Sequence, residues 1–112
     1  MARDEGLEEL IRDDLRSVHG LAERAMFGGW AWLLCGHLLC GARQGSLLVR
    51  LGKGRDAAAL GRRGVAPAVM GGRTMSGWVR CNADAYADDA VRGELLSQAV
   101  EFVLSLPEKP LR

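Results

Sequence analysis

The chain has 112 residues, of which 48% are hydrophobic and 26% are charged, and its formal net charge at pH 7 is +1. This length suits one domain over residues 1–112, with a core of residues 5–107, and the near-neutral charge gives no overall signature of a polyanion-binding protein. The chain starts with charged residues, and no apolar run approaches the roughly 20 residues of a membrane-spanning helix, so we expect neither a secretory signal nor a membrane span.

Charge is distributed unevenly along the chain. Residues 1–24 hold four arginines and seven acidic residues, a balance of −3, and residues 84–112 have the same balance. Residues 25–83 hold seven arginines and one lysine against one acidic residue, a balance of +7. Two interpretations remain open: acidic helices neutralise a basic sheet, or the sheet presents an anion-binding face.

The three cysteines are an odd number, which favours free thiols in a reducing cytoplasm. Cys35, His37, Cys40 and Cys81 are the candidate metal ligands. His37 and Cys40 are three positions apart, so on a strand they would point to opposite faces, and we expect no metal site. We expect Cys40 and Cys81 to be buried and Cys35 to be the most exposed thiol. Nothing indicates a cofactor.

The first half of the chain predicts a helix followed by a three-stranded meander. Residues 4–19 have apolar side chains at helical spacing, with Asp4 as the N-cap. Alternating residues predict strands over 30–35, 37–43 and 46–51, joined by short turns that each contain a glycine.

The second half predicts a short helix over 55–60, a loop over 61–72, and then two short strands, 73–75 and 77–82, or one strand bent at Gly77. A final helix should start at an Asp88 or Asp89 cap and stop before Pro107. The expected fold class is α+β, a two-layer α-β(3)-α-β(2)-α arrangement with a mainly antiparallel five-stranded sheet.

Four segments together are similar to the N-terminal domain of the TfoX/Sxy family. They are RAMFGGWAWLLCGHLLCG (24–41), LLVRLG (47–52), GRTMSGWV (72–79) and SLPEKP (105–110). The resemblance covers roughly residues 8–110 and implies the same α-β(3)-α-β(2)-α fold.

The resemblance also carries functional implications. The best-known members are bacterial competence regulators that act with a cyclic-AMP receptor protein at promoters and have a second, C-terminal domain. The sequence ends at Arg112 without a segment resembling that domain, so we expect a stand-alone N-terminal domain without direct transcriptional action. Family-motif residues for which we expect a structural role are Met26, Phe27, Gly28, Gly29, Gly72, Met75 and Gly77.

The central arginines are the main binding candidates. We single out Arg43, Arg50, Arg73 and Arg80, of which Arg73 is the first choice because flexible glycines flank it. The competing interpretation is an ion pair between Arg73 and the acidic final helix. Trp32 could stack on a base or ring, but packing in the core is the alternative.

We expect no enzyme, because no catalytic motif surrounds the serines or histidines. The expected function is a regulatory interaction module in the cytoplasm that binds a protein partner, with a second copy of the chain among the candidates. The alternative is a domain that binds nucleic acid or a small anion through the central arginines. An enzyme of unknown reaction is a weaker alternative.

Overall fold

The computed structural model describes residues 3–26 and 28–107. Within them the chain forms a single antiparallel sheet, whose strands lie in the order β1-β2-β3-β4-β6-β5, and four helices. The elements in chain order are α1 (Glu5–Leu15), β1 (Leu21–Met26), β2 (Gly29–Leu34), β3 (His37–Arg43), β4 (Ser46–Arg50), α2 (Ala57–Leu60), β5 (Val65–Met70), β6 (Arg73–Cys81), α3 (Ala83–Tyr86) and α4 (Asp89–Leu104).

The α+β class and the antiparallel sheet are confirmed, but the prediction of five strands is wrong because the sheet has six. Strand β1 was not predicted, because it is an edge strand with four consecutive exposed residues and therefore lacks alternation. Residues 65–70 were predicted to be part of a loop, since Pro67 argues against a strand; they form β5, which is an edge strand, where proline is tolerated. Of the two alternatives predicted for residues 73–82, the single strand is confirmed as β6, and the pair of short strands is wrong.

The predicted meander is confirmed as β2, β3 and β4. The turn between β2 and β3 places Cys35 at φ +53° and Gly36 at φ +84°, a backbone shape that matches the twist of a tight hairpin. The apolar run is interrupted at these positions because the chain reverses there. None of the helices among the described residues is long and apolar enough to cross a bilayer.

Helices α1 and α4 pack on one face of the sheet, α4 against β2, β3 and β4 and α1 against β3. Asp4 caps α1 as predicted by accepting a hydrogen bond from the Leu7 N–H at 3.1 Å, although the helix ends at Leu15 rather than at residue 19. Asp88 caps α4. The largest fully buried side chains lie between these layers and include Leu7, Ile11, Trp32, Leu34, Leu39, Leu47, Val49, Val79, Leu96 and Val103.

A buried ion pair fixes α1 against α4. The Arg92 side chain is 3% exposed, and its Nε donates to Asp14 Oδ2 at 2.6 Å. The same guanidinium donates to Asp89 Oδ1 at 2.9 Å and to the Tyr86 carbonyl at 2.8 Å. These hydrogen bonds compensate the burial of the charge and link the two long helices to α3.

The sheet curls away from the helices. Ala31, Gly41, Leu48 and Arg80 form a cross-strand row on the face opposite the buried row that contains Trp32 and its neighbours. Ala31 and Leu48 are nevertheless only 2% and 4% exposed. Because both edge strands contribute residues to one cleft on this face, curvature of the sheet itself provides the cover.

Gly77 allows the loop after β4 to approach β6. Its φ of +87° lies in the left-handed region, and a Cβ atom there would overlap the Lys53 nitrogen and lie 2.5 Å from the Gly52 carbonyl carbon. The Gly77 carbonyl accepts hydrogen bonds from the Leu51 and Gly52 N–H groups at 2.8 and 3.0 Å. Close packing of the loop against β6 therefore requires a glycine at this position of the family motif.

We expect Gly77→Ala to lower the free energy of unfolding by at least about 2 kcal/mol, because it combines backbone strain with overlap. Gly45→Ala is the matched control, since Gly45 has φ +75° but open space around the added Cβ atom. Urea denaturation of both variants measures the difference. Equal destabilisation would show that the close approach at Gly77 contributes nothing.

Glu8 is a buried carboxylate at the start of α1. It is 1% exposed and accepts hydrogen bonds from Arg3 Nη2 at 2.6 Å and Arg3 Nε at 3.0 Å. The hydrogen bonds from Arg3 hold the pKa of Glu8 below its usual range, although burial acts in the opposite direction. The folded state therefore favours the ionised form.

A lowered folded-state pKa stabilises the fold above the pKa of the unfolded state, and the stabilisation is lost as the pH falls through the folded-state pKa. We expect Glu8→Gln to destabilise the domain by about 2 kcal/mol at pH 7. The difference from wild type should start to shrink below about pH 4, where the carboxyl group takes up a proton in the unfolded chain, and should be lost as the pH falls through the lower folded-state pKa. Urea denaturation between pH 3 and about pH 7 tests this. The control, Glu9→Gln, removes an exposed carboxylate and should change little.

Candidate functional site

The open face of the sheet contains a cleft of about 250 Å³. We call it the concave cleft; its lining residues are Met26, Trp30, Ala31, Leu38, Gly41, Ala42, Arg43, Leu48, Val69, Met70, Gly71 and Arg80. Met26 comes from edge strand β1, and Val69 and Met70 come from edge strand β5, so the two ends of the strand order meet here. Most of the lining residues are apolar or glycine, while polar atoms provide about half of the accessible lining, and two arginines supply the charge.

Arg43 and Arg80 lie close together across β3, β4 and β6. Ser46 pairs with Arg43 across the β3–β4 hairpin, and its Oγ accepts a hydrogen bond from Arg80 Nη1 at 2.9 Å. Burial lowers the pKa of Arg80, and the positive charge of Arg43 lowers it further. Among residues 3–26 and 28–107, no carboxylate oxygen lies within 4.0 Å of either guanidinium.

Other central arginines are neutralised by the acidic helices. Arg62 pairs with Glu94, and Arg55 lies 3.8 Å from Glu101, both on α4. Arg63 Nε lies 3.6 Å from an Asp84 carboxylate oxygen. The two interpretations of the charge distribution therefore apply to different arginines: part of the basic region is paired within the chain, while Arg43 and Arg80 are not paired in the described part.

The remaining predicted arginines lie outside the concave cleft. Arg50 is half-buried between aromatic rings, with its Cζ 5.3 Å from the centroid of Trp78 and 5.6 Å from that of Phe102. Burial lowers the pKa of Arg50. Arg73 is exposed at the start of β6, and no ion pair joins it to α4 within the described residues.

Trp32 is 1% exposed and lies in the core beneath the helices, where no ligand can stack on it. Trp30 lines one side of the cleft, but the Arg3 guanidinium lies 4.2 Å from its ring centroid, and its Nε1 donates to Glu23 at 2.6 Å. The two tryptophans therefore stabilise the junction of α1, β1 and β2. Trp32 does not line the concave cleft.

Met26 and Gly29 lie at strand ends, whereas Met75 and Gly77 lie within β6. A Cβ atom at Gly29 would overlap the Ala42 carbonyl oxygen and lie 2.9 Å from Arg43 Cβ, so this glycine permits close contact of β2 with β3. Gly28 and Gly72 have φ values of +75° and +78° in turns. Met75 is half-buried, and Phe27 lies outside the described residues.

Sequence reasoning missed the apolar lining of the cleft. Leu38 and Leu48 carry no signal that separates them from core residues, and Val69 and Met70 fall in the segment assigned to a loop. Prediction of the two edge strands would have located these residues, but neither strand has the alternating pattern by which strands are recognised. Met26 was named for a structural role and additionally lines the cleft.

The cysteines are free thiols. Cys40 and Cys81 are buried, as predicted, and burial raises the pKa of the Cys81 thiol to about 11 and that of Cys40 further. His37 Nε2 hydrogen-bonds to the Pro107 carbonyl at 2.7 Å. In the described ranges, no three residues of metal-binding type come together.

A family model described as the TfoX N-terminal domain matches residues 13–103, and the chain belongs to this family. The family is of a regulatory type and is not a known enzyme family. No curated protein and no solved structure matches the chain.

The thiols give a direct check of the burial pattern. We expect a thiol reagent to modify only half-buried Cys35 in the native domain, because Cys40 and Cys81 are buried and remain protonated at neutral pH. Mass spectrometry after alkylation counts the modified thiols, and denaturant should expose all three. Rapid native modification of Cys81 would contradict the packing of β6.

Proposed function

We propose that this chain is a non-enzymatic regulatory module of the cytoplasm that binds an acidic protein partner at the concave cleft. Membership of a regulatory family supports the general role. The observation that carries the specific proposal is the position of Arg43 and Arg80, which share an apolar cleft and lack a carboxylate partner in the described structure. Free thiols support the cytoplasmic location.

The composition of the cleft favours a protein partner. Arginine and methionine are enriched in the centres of protein–protein interfaces, and here two methionines and two arginines line one concavity. Val69 is 54% exposed at its rim, so burial of this side chain would contribute to binding. A carboxylate from the partner would compensate the partly desolvated guanidinium of Arg80.

Nucleic acid is the second candidate, because the same arginines and exposed Arg73 could contact phosphates. Single-stranded binding also needs exposed aromatic rings, yet Trp32 is buried and Arg3 covers Trp30. The cleft presents two arginines rather than a basic track. These observations favour a protein, and a second copy of the chain is one candidate because its helices carry acidic residues.

We expect the double variant Arg43→Gln/Arg80→Gln to lose capture of the partner from extracts of the source cells by at least tenfold. The control Arg62→Gln/Arg63→Gln removes the same charge from arginines already paired outside the cleft and should keep capture. Quantitative mass spectrometry of the captured proteins measures the ratio, and circular dichroism confirms that each variant is folded.

Equal capture by the cleft variant and wild type would reject this surface. Sedimentation velocity at rising concentration identifies a second copy as the partner if the cleft variant alone fails to self-associate. A DNA mobility shift that weakens steeply with salt, together with absence of a captured protein, would establish the nucleic-acid alternative and reject the proposal.

A further inference from the structure

We propose that the concave cleft also binds a small free carboxylic acid, a monoanion with a flexible apolar body, directly. This ligand would compete with the protein partner for the same cleft, and that competition rests on the proposed function. The domain would then respond to the concentration of a small acid. The binding itself does not depend on the identity of any partner.

The charged end of the cleft fits one carboxylate. A guanidinium can donate two parallel hydrogen bonds to a carboxylate, which gives both energy and orientation. Arg80 uses Nη1 to bond the Ser46 hydroxyl, so that side chain is already held in place. Arg43 brings a second positive charge to the same end, and a single negative charge between the two would relieve their repulsion.

The rest of the cleft fits an apolar chain rather than more polar groups. Ala31, Leu38 and Leu48 line one side from the meander strands, and Met70 lines the other from β5. Methionine side chains adapt to irregular apolar shapes, so the walls can follow a flexible ligand. A phosphate or sulfate would leave this apolar part of the cleft unused.

The size of the cleft limits the ligand. Its volume of about 250 Å³ lies just below the roughly 300–1,000 Å³ of pockets that enclose drug-sized molecules. A nucleotide therefore exceeds it, whereas a short-chain or medium-chain acid fits. The charged end of such an acid would lie beside the two arginines, and its apolar body would lie against the apolar lining residues.

Octanoate is the probe for this inference. Two-dimensional NMR titration of the isotope-labelled domain should show saturable shifts at Gly41, Leu48 and Gly71, all of which line the cleft. We expect octanol, which lacks the charge, and acetate, which lacks the apolar body, each to bind at least tenfold more weakly than octanoate. Octylammonium, with the opposite charge, should not bind.

Two variants test the two ends of the cleft separately. Arg80→Gln removes the half-buried guanidinium and should weaken the binding of octanoate at least tenfold. Gly41→Val fills the cleft without changing charge; a Cβ atom there meets only the Trp30 carbonyl oxygen at 3.5 Å, an ordinary contact distance, so the strand should tolerate it. It should abolish binding, while Arg62→Gln should bind like wild type.

Equal affinity of wild type for octanoate and octanol would overturn the inference, and this comparison needs no variant to fold. Shifts spread over the helices instead of the cleft would overturn it as well. If octanoate binds and displaces the captured partner, both proposals stand. If octanoate binds and no partner is captured, only the proposed function fails; if a partner is captured but octanoate does not bind, only this inference fails.

Discussion

Among the described residues, the long helices α1 and α4 cover one face of a six-stranded sheet, and the rest of the structure depends on this one-sided cover. The buried pair Arg92–Asp14 holds α1 and α4 together on that face. The opposite face carries Ala31 and Leu48, which would be exposed if the sheet were flat. Curvature brings edge strands β1 and β5 to one cleft and shields these apolar side chains, so the shape of the candidate site follows from the need to bury them.

The same arrangement determines which arginines have acidic partners. The acidic residues of α3 and α4 reach the arginines of the loops around α2 and neutralise them. They do not reach the open face, where Arg43 and Arg80 lie against apolar side chains. The acidic ends of the chain offset the basic middle in the sequence, but in the described part of the fold the two arginines of the concave cleft have no carboxylate partner. This local excess of positive charge is the feature on which we base the proposal that an acidic ligand or partner binds reversibly in the cleft.

Elements with strong local signals could be predicted from the sequence. The N-cap at Asp4, the glycine turns and the alternation of the meander each come from a few adjacent residues, so α1, α2, α4 and β2 to β4 were found, whereas the four-residue helix α3 was not. Strands β1 and β5 were missed because edge strands are exposed and one contains Pro67. The sequence named Arg43 and Arg80, but could not separate them from Arg50 and Arg73. That distinction depends on strand order and curvature, which no local pattern encodes.

The curvature of the sheet is the central claim, and a paramagnetic label tests it most directly. A nitroxide attached at Val69→Cys in a Cys35→Ser background would sit on the exposed rim of the cleft. In a flat sheet Met26 would lie five strands away, roughly 24 Å at about 4.8 Å per strand. The account predicts that the Met26 methyl resonance broadens as strongly as those of Leu38. Broadening that declines steadily from β5 to β1, with Met26 least affected, would contradict the account.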